Sequence, residues 1–304
     1  MSTINDNLSM KTEYVVGADI GGTHISAGLV NLVTKTMAPG SVVRRTVDPH
    51  APARDIIAAW HAAIREPARF FEGGLYRVGI AMPGPFDYAK GISLIRGFNK
   101  YESLYQLPVK EMLAQQLGIP AADIQLKNDA AAFLQGEVFC GAAMGYDKAV
   151  GITLGTGLGS ARTIGDDTEE GTLNVLPLHN GIAEDYISTR WFLKRYAELT
   201  GYELQDVRAL TEKLAYDAHA GQVFREFTAN LATVLRQFIT EEQPAIVVIG
   251  GGIANAFEVF YSGLSALLTG KTGHTVIRQS ALGESAAMIG AASIFGKKPA
   301  SSTV

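Results

Sequence analysis

The sequence predicts an α/β protein built from two similar lobes with a cleft between them. Three observations carry that reading. A strand–glycine turn–strand stretch lies near the N-terminus, "VGADIGGT" at Val16–Thr23, and a second, "VGITLGTG", lies at Val150–Gly157. Helix–strand units then follow each copy in the same order. Laying one stretch on the other carries Gly17 onto Gly151 and Gly21 onto Gly155, each 134 residues further on. A chain of 304 residues is long enough to bury two cores of this kind.

In the first series, Tyr14–Asp19, His24–Asn31 and Ser41–Val47 are expected as short strands joined by glycine turns. A helix over Pro52–Phe70 follows, then a strand ending in "VGIAMPGPFD", a helix over Val109–Leu117 and a strand ending in "IQLKND". The second series opens with "AVGITLGTGLGSARTI" as strand, turn and strand. It continues with helices over Ile182–Leu199 and Gln222–Thr240, the latter placing Phe227, Leu231, Val234, Leu235 and Phe238 on one face. "AIVVIGGGIANAF" is a buried strand ending in three glycines, "HTVIRQS" a late strand and "ESAAMIGAASIF" a terminal helix. The lobes are expected at 13–130 and 131–283, with a C-terminal helix at about 284–296 completing the first. Both ends, "MSTINDNLSM" and "GKKPASSTV", have the composition of frayed tails.

Composition removes several classes of function. A net charge of −4 leaves no basic footprint for nucleic acid or anionic membrane. No signal peptide and no bilayer-spanning apolar run is evident, so a cytoplasmic protein is expected. Cys140 is the single cysteine, which excludes an internal disulfide and a multi-cysteine zinc site. The 33 glycines fall in short bursts, as close backbone approaches require.

Three phosphate-binding devices compete for those glycines. A dinucleotide fingerprint needs G-x-G-x-x-G running into a helix, whereas "ISAGLV" and "SARTI" continue as strands. A Walker A loop is nearly matched at Gly270-Lys271-Thr272, but its first glycine is replaced by Ser265 and "LSALL" before it is helical in character. The third device is a β-hairpin whose turn presents amides and hydroxyls. "DIGGT" suits it, with Gly21 and Gly22 admitting phosphate oxygens to the backbone and Thr23 adding a donor. Asp19 at the strand end can hold a hydrated Mg²⁺. "LGTGLGS" repeats the device with Gly155, Thr156 and Gly157, and Gly251 and Gly252 of "IGGGIA" offer a side-chain-free surface for an adenosine. Taken singly, each is better explained as a tight turn; together they point to nucleotide binding.

In combination "VGADIGGTHISAGLV", "VGIAMPGPFD", "LKNDAAAFLQGE", "GITLGTGLGSA" and "VVIGGGIA" resemble the ROK sugar kinases (repressor, open reading frame, kinase), from about Tyr14 to Phe295. The resemblance implies the two-lobed actin-like ATPase (ribonuclease H-like) fold, with ATP and sugar meeting in the interlobe cleft. Asp129 matches the family carboxylate that contacts the attacking sugar hydroxyl, and a group there must orient that hydroxyl and accept its proton. Its structural alternative is a helix cap. Asn128 is expected as a sugar contact, as are the Gly84 backbone in "AMPGPFD" and Asn99 in "RGFNKYESLYQLPV". "EEGTLNVLPLHNGIAEDYISTRWF" keeps the family's sugar-contacting Glu as Glu184. Its zinc cysteines are absent, and Thr172 and Val175 stand where a Glu and a His would fall. No zinc site is expected, and His179 is a candidate replacement contact.

The resemblance thus implies an ATP- and Mg²⁺-dependent kinase for glucose or a related hexose, acting as a homodimer. The competing readings are a non-catalytic sugar-binding or regulatory member and a transcriptional repressor. The repressors of the family carry a helix-turn-helix domain ahead of the kinase-like part, and with a first motif beginning near residue 15 no such domain is expected here.

Overall fold

The computed structural model describes residues 13–71, 76–270 and 273–296. The expected tails, apart from Gly296, fall outside these residues, as do Lys271 and Thr272 of the Walker-like tripeptide. The chain divides into two compact units, one running to Cys140 and resuming at Ser285, the other Gly141–Glu284.

In the first unit, strands β1 (Tyr14–Ile20) and β2 (His24–Asn31) form an antiparallel hairpin in which Asp19 faces Ser26. Strands β3 (Thr36–Met37) and β4 (Val43–Thr46) both pair with β2, so the expected strand Ser41–Val47 is shorter and β3 is an addition to it. Helix α1 (Ala53–Ala68) starts after Pro52, whose fixed φ suits a helix entry. It buries Ile56, Ile57, Trp60, Ala63 and Ile64 on one side, the i, i+3, i+4 spacing of an amphipathic helix. Strand β5 (Val78–Met82), wholly buried, lies parallel to β1 and to β8 (Ile124–Asn128), giving a six-stranded sheet in the order β3-β2-β1-β5-β8 with β4 beside β2. A small hairpin, β6 (Phe86–Asp87) with β7 (Ile92–Ser93), and helix α2 (Val109–Leu117) separate β5 from β8.

Helix α3 (Asp129–Cys140) leaves the end of β8 and packs on the C-terminal helix Ala286–Ser293. The first unit therefore extends past the boundary expected at residue 130 and takes in the whole of α3. Glycine lets these layers meet backbone to backbone. A Cβ on Gly290 would collide with the Ala132 carbonyl, one on Gly136 with that of Ala286, and ones on Gly17 and Gly79 with the carbonyls of Met288 and Ala291. Ala81, Ala132, Ala287 and Ala291 fill what space remains.

The second unit repeats the sheet. Strands β9 (Ala149–Leu154), β10 (Leu158–Ile164) and β11 (Asp167–Glu170) form an antiparallel meander. Strand β14 (Ile246–Gly250) then lies parallel to β9, and β15 (Val276–Gln279) parallel to β14, in the order β11-β10-β9-β14-β15. Between β11 and β14 come a two-residue hairpin, β12 (Pro177–Leu178) with β13 (Gly181–Ile182), and helices α4 (Ala183–Tyr186), α5 (Thr189–Thr200), α6 (Val207–Glu212) and α7 (Ala218–Glu242). Helix α8 (Phe257–Leu268) links β14 to β15, and Ala286–Ser293 is α9.

One expectation is corrected here. A single helix over Ile182–Leu199 is in fact α4 and α5, broken where Ile187 leaves the helical conformation, Ser188 turns extended and the Thr189 N–H donates to the Gly155 carbonyl at 2.8 Å. Helix α7 outruns the expected Gln222–Thr240 at both ends, and its predicted face is buried as read. That face meets an aromatic core in which the Phe192 and Phe227 rings lie tilted at 4.7 Å and Phe227 and Phe260 meet edge-on at 5.4 Å. Among the described residues no helix is long and apolar enough to cross a membrane.

Candidate functional site

The two glycine turns are built alike. Offset by 134 residues, the first β2 residue, His24, falls on Leu158, the first of β10. In the first turn the Gly21 N–H donates to the His24 carbonyl at 2.8 Å, and in the second the Gly155 N–H donates to the Gly157 carbonyl at 3.0 Å. Gly21 and Gly155 therefore close their turns with the very amides expected to meet phosphate. The N–H groups that stay open among the described residues belong to Gly22 and Thr23, and to Thr156 and Gly157. A Cβ on Gly22 or on Gly155 would meet nothing within 4 Å, so both tips are approachable from outside. Consecutive open amides of this kind are donors suited to an anion. The Thr23 hydroxyl lies 2.8 Å from His24 Nδ1.

Gly157 has a further reason to be glycine. A Cβ there would come within 2.5 Å of Glu184 Oε2, and that oxygen accepts the Leu158 N–H at 2.9 Å. The other Glu184 oxygen accepts from Arg190 at 3.2 Å. Gly251, at the end of β14, has φ +87° and lies against the Leu154 backbone, so packing and conformation demand glycine there. Gly252 beside it is exposed and open, the part of "IGGG" suited to a flat ligand.

The acceptor-side residues of the first unit divide in a way the sequence left open. Asn128, buried at the end of β8, is the helix cap: its Oδ1 accepts the Ala131 N–H at 3.0 Å, and its amide donates to the Tyr88 hydroxyl at 3.3 Å. The capping oxygen of the expected sugar contact is thus already engaged. Asp129 is relieved of that duty and accepts the Ala130 N–H at 2.8 Å. Desolvation raises the pKa of Asp129 above the ordinary carboxylate value, against the smaller opposing pulls of the Ala130 N–H and the Lys100 cation. Tyr88 ties this corner together, donating to the Met82 carbonyl at 3.0 Å, two residues before the Gly84–Pro85 peptide, which is cis.

Asn99 is exposed, with φ +54°, and its N–H and that of Phe98 converge on Glu102 Oε1 at 3.1 and 2.9 Å. Those N–H groups, with that of Gly97 foremost, hold the Glu102 carboxyl below its usual range. Tyr101, fully buried with φ +56°, sets its ring edge-on to Trp60 at 5.3 Å and donates its hydroxyl to the Gly21 carbonyl at 2.6 Å. Burial pushes that hydroxyl up to about 12, so it remains a donor at any physiological pH.

His179, with φ +52°, has its Nε2 2.9 Å from Asn230 Oδ1 and its ring edge-on to Tyr186 at 4.8 Å. It lines a cavity of about 790 Å³ in the second unit with Asn180, Arg190, Trp191 and Arg195. Thr172 and Val175 are exposed. Among the described residues no group of three or more His, Cys, Asp or Glu gathers to hold a metal. Asp19, half-buried at the end of β1, fits a cation carried by its own waters and by phosphate oxygens, the way Mg²⁺ is commonly bound. Tyr88, Tyr101 and Lys100 escaped sequence reasoning; the only signal available was the adjacency of Lys100 and Tyr101 to Asn99.

A model of the ROK family matches residues 15–175 and 179–298. The chain is 29% identical to a glucokinase of Thermotoga maritima over 93% of its own length and 98% of the relative's. It is 24% identical to an N-acetyl-D-glucosamine kinase of Yersinia enterocolitica, over 82% and 86% of the two chains. The structure of a ROK family glucokinase from Streptomyces griseus in complex with glucose and AMPPNP superposes with a TM-score of 0.74 at 24% identity, covering 92% and 98% of the chains. The fold is the two-lobed actin-like ATPase fold.

Proposed function

Because the chain belongs to the ROK family, we propose that it is an ATP-dependent hexose kinase transferring the γ-phosphate to a hydroxyl of glucose or a close relative. The observation that carries this reading is Asp129, a carboxylate left uncommitted at the start of α3 because Asn128 caps the helix in its place. Its raised pKa makes it a stronger base than a solvated carboxylate, suited to taking the proton of an attacking hydroxyl. Phosphoryl transfer otherwise depends on positioning and charge stabilisation, and the open amides of the glycine turns are fixed donors for phosphate oxygens. Asp19 would hold Mg²⁺ through water, and the ion when bound neutralises developing phosphate charge. Gly84, Asn99 and His179 are proposed sugar-side residues on family resemblance, and a cytoplasmic homodimer is the assembly that accords with it.

The test is coupled ADP release across glucose, mannose, fructose, N-acetylglucosamine and N-acetylmannosamine, with Asp129→Asn as control. Turnover with at least one sugar that the variant abolishes is expected. ATP binding without turnover on any sugar supports the non-catalytic reading instead, and undiminished turnover in the variant removes Asp129 as the base.

A further inference from the structure

Each glycine turn is held by one side chain arriving from far along the chain, and in both cases from a segment expected to face the sugar. In the first unit the Tyr101 hydroxyl, two residues after Asn99, donates to the Gly21 carbonyl at 2.6 Å. In the second, Glu184 Oε2 accepts the Leu158 N–H at 2.9 Å, immediately after the open amides of Thr156 and Gly157. Neither contact is incidental to its surroundings. Tyr101 is fully buried, its ring fixed edge-on to Trp60 and its N–H bonded to the Pro49 carbonyl at 2.8 Å. Glu184 is admitted because residue 157 has no side chain, and its second oxygen is held by Arg190.

We propose that Tyr101 and Glu184 are positioning residues, each fixing the open amides of one glycine turn. The proposal rests on the kinase reading only for its kinetic consequence; the anchoring itself is a property of the free protein. Physically, the internal bond of each three-residue turn engages only the N–H of its first glycine and leaves the next two N–H groups without a bond that fixes their direction. A donor set aimed at phosphate loses its advantage when it must reorganise on binding. An external tie to the residue next to the open amides removes that freedom. A hydroxyl does this for the first turn from the carbonyl side, and a carboxylate does it for the second from the amide side.

Amide hydrogen exchange on the ligand-free protein tests the anchors apart from activity. Tyr101→Phe keeps the ring and deletes the donor. It is expected to speed exchange in the segment 21–24 by about fivefold, the effect of one neutral hydrogen bond, and to leave 155–158 unchanged. Glu184→Ala is expected to do the reverse, with a rise on the order of tenfold at Leu158, and Glu184→Gln, whose amide oxygen can still accept, to restore most of the protection. Melting temperatures monitor folding in each variant. In the kinase assay, Tyr101→Phe and Glu184→Ala are expected to raise KM for ATP and lower kcat. Unchanged exchange at both turns in folded variants overturns the anchoring. A Glu184→Ala variant whose loss falls on sugar KM alone overturns the assignment of Glu184 to the turn. Absence of turnover in the wild type, with the exchange pattern as expected, defeats the kinase reading and leaves the anchors standing.

Discussion

The two glycine turns share a backbone device and differ in what surrounds it. Each closes through the N–H of its first glycine and leaves the next two amides open. The first is tied by a neutral, buried hydroxyl on its carbonyl side, the second by a half-buried carboxylate on its amide side. The layers behind them differ as well. In the first unit α3, α9 and the sheet meet backbone to backbone across Gly17, Gly79, Gly136 and Gly290, whereas the second is packed with Phe192, Phe224, Phe227 and Phe260. A repeated strand pattern therefore fixes hydrogen-bond topology and leaves open what braces it.

Substitutions can break this comparison at graded depth. The largest effect is expected from Asp129→Asn, a group of the first unit alone: kcat falls by about 10²- to 10⁴-fold, the usual worth of a general base. Its stability effect runs the other way. Because burial raises the folded pKa above the unfolded one, the wild-type carboxyl loses stability as pH rises from the ordinary carboxylate range through that raised value. The neutral Asn escapes that loss, so its melting temperature relative to wild type should improve from acid to neutral pH. In the wild type, the acid limb of kcat/KM should lie above the ordinary aspartate value.

Next in size are changes to the packing that distinguishes the units. Phe227→Ala empties the aromatic core of the second and is expected to cost about 3–5 kcal/mol in chemical denaturation. Gly290→Ala in the first drives a methyl into the Ala132 carbonyl, which cannot rotate away, and is expected to cost about 1–3 kcal/mol despite alanine's better helix propensity. The smallest contrast lies in the turns themselves. Gly157→Ala presses on the Glu184 carboxylate and should both lower stability by about 1–2 kcal/mol and raise KM for ATP. Gly22→Ala meets nothing within 4 Å and should stay within about 0.5 kcal/mol of wild type by the same denaturation measurement. Equal effects at the two positions would remove the distinction between a braced and an open glycine.

The sequence by itself determined the paired hairpins, the strands that follow and the buried face of α7. Those features rest on glycine spacing, on runs of apolar residues and on the 3.6-residue period, interactions completed within a few residues or by a generic sheet. "NDAAA" likewise announced a helix start, but not which of its two polar residues would cap it; Asn128 does so because it also reaches the Tyr88 hydroxyl, 40 residues away in sequence. Gly21 and Gly155 use up their own amides within the turns, on His24 and Gly157, which glycine spacing alone does not reveal; the rest was decided by the tertiary structure. It alone broke the helix expected over Ile182–Leu199 at the point where Thr189 reaches the Gly155 carbonyl. Tyr101 meets Gly21 across 80 residues and Glu184 meets Leu158 across 26. No local preference encodes such partners, because each bond exists only once the sheet and its loops have brought two distant segments to within hydrogen-bond reach.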